Sequence, residues 1–159
     1  LHAGDVGRLG ILEELARIAP VHAVYGNTDF GEVHRALPRT RVVDLGSADG
    51  TLAGARDSDA GGMASSTDPG DARAAALGSP GPLAWVHHGD RELDLDPASG
   101  GIALVVSGHT HRPLVEERGG VLWLNPGSAG PRRFTLPATV ARLRVGDDGK
   151  LRAEIVEVA

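Results

Sequence analysis

Four short apolar runs in this chain end at a glycine-bearing loop that also carries a side chain able to hold a metal. No other feature constrains the fold as strongly. The loops read HAGD, YGNTD, VHHGD and SGHTH, and they supply Asp5, Asn27, His88, His109 and His111. Glycine lets the backbone turn sharply off a strand while its neighbour points into a shared crevice. If the four strand ends lie on one edge of a sheet, five oxygen and nitrogen donors converge. Imidazole, carboxylate and amide oxygen together suit a first-row divalent metal such as manganese, iron or zinc. Singly, each loop has a plainer explanation. Gly-Asp is also a turn or a helix cap, Gly-Asn a left-handed turn, and the His87–His88 pair one core and one surface imidazole. Four such coincidences in one kind of position are harder to accept than a site.

The remaining pattern gives the elements between these loops. Over residues 6–19 Ile11, Leu12, Leu15 and Ile18 recur at helical spacing, and Pro20 closes the run. Residues 21–25 read as a short strand, 32–36 as a brief helix, and 41–45, 82–87 and 102–107 as strands. LVEER-GG-VLWLN has the form of a hairpin with a two-residue turn, and a second hairpin, ATVARLRV-GDDGK-LRAEIVEV, closes the chain. Strand-helix-strand early and antiparallel hairpins late predict an α/β domain with a mixed sheet, in one layer or two. Residues 46–81 differ from everything around them, being rich in Gly, Ala, Asp and Ser. They read as a flexible insertion within a single domain covering residues 1–159, with a short helix at 71–77.

Composition removes several alternatives. Hydrophobic residues make up 41% of the 159 and aromatics only 3%, so the core must be aliphatic. A net charge of -5 and few aromatics argue against a nucleic-acid surface built on basic patches and base stacking. No apolar run approaches the roughly 20 residues of a membrane span. The absence of cysteine excludes disulfides, thiolate nucleophiles and thiolate metal sites, and suits a cytoplasmic protein.

Taken in order, GD, GN, HG and GHTH, with the later NPGS at Asn125–Ser128, resemble the motifs of the calcineurin-like metallophosphoesterases. The compact bacterial and archaeal phosphodiesterase branch matches best, through HAGDVG, GNxD, GHTHRP and NPGS. The resemblance implies a sandwich of two mixed β-sheets flanked by helices, with two divalent metals at the strand ends, manganese favoured. It implies that Asp5 bridges the metals, that Asn27, His88 and His109 complete one site, and that His111 joins the other. His88 is preferred to His87 because it directly precedes Gly89. Asp29, Asp90, Asn125 and Ser128 fall to supporting or substrate-contacting roles. Arg132 and Arg133 are candidates to hold a phosphate, or else are solvated. His2 and His22 read as packing residues and His34 as solvated.

Two departures qualify the match. The family's opening Asp-x-His is absent, so the chain reads as lacking the first strand, with one metal site depleted. GNTD also lacks the histidine that many relatives carry after Gly-Asn, a mild departure because the compact branch commonly has Asp where Asp29 stands. The implied activity is hydrolysis of a phosphodiester or small phosphate ester by a metal-activated hydroxide, with no side-chain nucleophile. The alternative is a protein-interaction scaffold that keeps the fold, as the retromer subunit of eukaryotes does.

Overall fold

The computed structural model describes residues 1–46, 81–93, 95–130 and 135–158. Its elements are β1 (His2–Ala3), α1 (Leu9–Ala16), β2 (Ala23–Val24), α2 (Glu32–Ala36), β3 (Thr40–Asp44), β4 (Leu83–His87), β5 (Ile102–Val106), β6 (Leu114–Arg118), β7 (Val121–Asn125), β8 (Thr139–Val145) and β9 (Leu151–Glu157). Five strands form one mixed sheet in the order β3-β4-β5-β7-β6, with β4, β5 and β7 parallel. The remaining strands form two pairs, β1 parallel to β2 and β8 antiparallel to β9.

Both pairs pack on the same face of the five-stranded sheet. The core there is aliphatic, as composition required: Val24, Val43, Ala84, Val86, Leu104, Val106 and Leu124 are buried, with Ala3 from β1 and Ala141, Leu143, Ala153 and Ile155 from the last hairpin against them. Each fully buried Val or Leu contributes about 1.5–3 kcal/mol, so this layer is what holds the strand ends in place. The opposite face carries Val42, Trp85, Val105 and Trp123 side by side across β3, β4, β5 and β7. The α/β class and the layered mixed sheet are therefore as expected.

The predicted strands and hairpins match the observed ones with ends shifted by a residue or two. In the β6–β7 hairpin, Gly119 and Gly120 have φ of 58° and 78°, the left-handed pair that a two-residue turn needs. The first helix departs from expectation. It starts at Leu9 rather than residue 6, because Val6 and Gly7 give their N–H groups to the Asp29 carboxylate, Gly7 is left-handed at φ 79°, and Arg8 is extended. It also buries none of its side chains, and Ile18 beyond its end is 84% exposed. The apolar stripe is thus only partly covered, with Ile11 and Leu12 half-buried and Leu15 exposed.

The predicted insertion is entered and left at one point. The amides of Gly46 and Gly81 both donate to Asp44 Oδ1, at 2.8 and 3.0 Å. Residues 47–80, including the helix expected at 71–77, lie outside the described residues, as do Arg132 and Arg133. Among the described residues no helix is long and apolar enough to cross a membrane.

Candidate metal centre

Because β1 and β2 run parallel, and β4, β5 and β7 run parallel, the loops that follow them emerge at the carboxyl edges of their sheets, where open α/β sheets place their ligand crevices. Gly4–Asp5 follows β1, Gly26–Asn27 follows β2, His88–Gly89 follows β4, and Gly108–His111 follows β5. Hydrogen bonds join them across the two layers. The His88 Nδ1–H donates to the Ala3 carbonyl at 2.7 Å, and the Gly108 N–H donates to the His88 carbonyl at 2.9 Å. Glycine at position 26 is obligatory, since a Cβ there would run into the Asp5 side chain and backbone.

A carbonyl can only accept, so the Ala3 contact places a hydrogen on His88 Nδ1 and turns Nε2 inward. That Nε2 lies 2.8 Å from Asn27 Oδ1 and 3.5 Å from Asp5 Oδ1, and the ring is only 3% exposed. His109 Nδ1 approaches the same Asn27 oxygen at 3.1 Å, with its ring edge-on to that of His88 at a centroid distance of 5.1 Å. Four of the five predicted donors, Asp5, Asn27, His88 and His109, are thus drawn together. The fifth, His111, is half-buried in the same turn, and among the described residues no hydrogen bond ties its ring to the others.

Backbone conformation marks the same residues. Asp5, His109 and His111, with φ of 57°, 63° and 57°, are the only non-glycine residues with positive φ among those described. Such conformations cost about 1–3 kcal/mol each and cluster at functional sites. Burial raises the Asp5 pKa, but the Thr28 backbone N–H, the Thr28 hydroxyl and the nearby His88 and His109 outweigh it, and the net shift is downward. The carboxylate is held ionised.

The separations suit a single cation. Two ligands about 2.1 Å from one metal stand roughly 3.0 Å apart at a right angle and roughly 3.4 Å apart in a tetrahedron, against the observed 2.8, 3.1 and 3.5 Å. The Asn27 amide oxygen is the atom that both imidazoles approach. Counting only His, Cys, Asp and Glu, no three side chains among the described residues group closely enough to hold a metal.

The supporting residues hold loops. Asp29, 2% exposed, accepts the N–H groups of Val6, Gly7 and Gly26 at 3.1, 2.8 and 2.8 Å. Asn125 donates to the Gly108 carbonyl at 2.8 Å and to Thr110 Oγ1 at 3.1 Å, and accepts the Gly127 N–H at 3.0 Å, which braces the GHTH turn against NPGS. The Ser128 carbonyl accepts the Thr139 N–H at 2.9 Å, tying that loop to β8. Asp90 stands 4.0 Å from Arg91, and its charge acts on His87. His87 is buried at the end of β4, and burial, then His88 and Arg39, lower its pKa against the pull of Asp90. His34 is exposed against Tyr25. Sequence reasoning missed the Ala3 carbonyl, Thr28 and Thr110, whose parts are played through backbone or hydroxyl groups that no residue pattern announces.

Known proteins resemble this chain in sequence and in fold. The model of the calcineurin-like phosphoesterase superfamily domain matches residues 1–148. A protein of Methanothermobacter thermautotrophicus named a probable metallophosphoesterase is 33% identical over 159 residues, covering 98% of this chain and 73% of its own length. One of Methanocaldococcus jannaschii with the same designation is 28% identical, and the chain spans 65% of its length. Among solved structures, an archaeal phosphodiesterase superposes with a TM-score of 0.59 at 22% identity, over 98% of this chain and 81% of that one. Vps29 of Entamoeba histolytica complexed with zinc superposes with a TM-score of 0.53 at 21% identity, over 97% and 76%. At such identities the structures speak for the fold alone, while the sequence matches decide the lineage: the chain belongs to the calcineurin-like phosphoesterase superfamily, whose members generally use divalent metals.

Proposed function

We propose that this chain is a metal-dependent phosphodiesterase domain whose centre is formed by Asp5, Asn27, His88 and His109, with His111 available to a second metal. The observation that carries this reading is the approach of His88 Nε2 and His109 Nδ1 to Asn27 Oδ1, with Asp5 Oδ1 3.5 Å from the same His88 nitrogen, from four separate loops. A divalent metal at such a centre supplies Lewis-acid polarisation of a phosphoryl oxygen and acidifies a water. The residues supply the rest. Ala3 fixes the His88 tautomer, Thr28 keeps Asp5 charged, and Asn27 and His109, both exposed, leave the centre open to a substrate. Manganese is the favoured metal, and a phosphodiester or small phosphate ester the substrate class.

The test begins with metal content. Purified protein should retain manganese, iron or zinc, and His109→Ala should lose it while His34→Ala does not. Equal content in the two variants would overturn the assignment.

A second reading, an interaction scaffold, is favoured by the fold shared with Vps29. Since that protein is itself complexed with zinc, metal binding does not separate the two readings. Turnover does. An aryl phosphodiester should be hydrolysed slowly by the 159-residue chain, and orders of magnitude faster once a strand ending in Asp-x-His is supplied ahead of Leu1. No turnover in either form, at saturating manganese, would favour the scaffold.

A further inference from the structure

We infer that Asp29 is a positioning residue that, together with Asp5, clamps the first two metal-bearing loops to each other. Its side chain is buried and is wholly engaged with backbone: Oδ2 accepts the N–H groups of Val6 and Gly26, and Oδ1 accepts that of Gly7. Val6 and Gly7 directly follow the metal-ligand candidate Asp5, and Gly26 directly precedes the candidate Asn27. The reverse contact is made by Asp5, whose Oδ1 accepts the Thr28 N–H at 3.0 Å. Each loop therefore offers a carboxylate to the amides of the other, across 22 or 23 residues of chain. The result is to hold Asp5 at its left-handed φ of 57° beside Asn27.

This geometry also rules Asp29 out as the acid that would assist a leaving group. Its two oxygens are committed to three buried or half-buried N–H donors, and it is buried whereas Asn27 is exposed. The inference that the clamp governs metal affinity rests on the proposed metal centre; the clamp itself does not.

Asp29→Asn is the test, because an amide keeps one acceptor oxygen and turns an NH₂ towards N–H groups that need the other. Metal-free protein is followed by NMR at the Thr28 amide, whose acceptor is Asp5 and not Asp29, and manganese affinity is measured by titration. The Thr28 resonance should lose its hydrogen-bonded shift, and affinity should fall by about 10–100-fold, the usual cost of disturbing groups that orient metal ligands. Val121→Ala, which weakens the buried opposite face of the sheet, should leave both unchanged. Asp29→Glu, with both oxygens on a longer arm, gives the same readouts in smaller measure should Asp29→Asn not fold. An unmoved Thr28 resonance, or wild-type manganese affinity, would overturn the inference. If wild-type protein binds no manganese, the proposed centre falls, and the Thr28 amide still decides whether the clamp exists.

Discussion

The strand-end loops and helix α1 hold much the same amount of chain and are built on opposite terms. The loops are held by polar groups: Asp29 accepts from three amides, Asn125 has three partners, and His88 donates to Ala3. Helix α1 has a regular apolar stripe and fully buries none of it. The difference teaches that in this protein amphipathic periodicity is the weaker guide to rigidity. A buried carboxylate with three donors defines a position, whereas an apolar stripe defines one only if something covers it.

Substitutions can break or sharpen that contrast. The largest effect is expected beneath the loops. Leu104→Ala, in the centre of the layer that carries β4 and β5, should cost about 2–5 kcal/mol in urea unfolding, and a loss near zero would mean the strand ends are not held by that core. Next, Asn125→Ala should cost about 1–3 kcal/mol by removing a buried side chain and its three part-buried hydrogen bonds, and should lower metal retention through the GHTH turn. Loss of stability with metal retention unchanged would show that the brace does not reach His109.

Smaller still is a dependence on acid. The His87 pKa is lowered in the fold, first by burial, so the unfolded chain binds the proton more readily. His87 therefore stabilises fully above its unfolded pKa of about 6.5, and that contribution is lost as the pH falls through this value. Wild type should lose more stability between about pH 7.5 and about pH 5 than His87→Leu does, and parallel losses would place the acid sensitivity elsewhere. The smallest effect belongs to the exposed residue just beyond the helix. Ile18→Ser should change stability by no more than about 0.5 kcal/mol, and a loss of several times that would reveal a partner for the α1 stripe.

Much of the architecture was legible because it is local. Strands β4, β5 and β7 announce themselves as aliphatic runs, and Gly119–Gly120 demands a tight turn whatever surrounds it. The candidate centre was legible for a related reason. Each donor sits beside a glycine at a strand end or, for His111, in the same turn as one, and parallel strands bring such ends to one edge. His88 was separable from His87 by its neighbour Gly89, and the structure sends His88 Nε2 to Asn27 while His87 is buried beside it.

What the sequence by itself determined, then, is the order of elements, the aliphatic character of the core and the identity of the donors, since each depends on neighbouring residues alone. Tertiary structure decided how those donors are held. That Asp29 serves amides rather than a substrate, that Ala3 sets the tautomer of His88, and that Arg8 delays a helix whose pattern begins earlier all depend on contacts between loops. Such contacts join residues from 22 to 85 positions apart. A hydrogen bond is specified by where its donor and acceptor finally lie, and no periodicity along the chain encodes that distance.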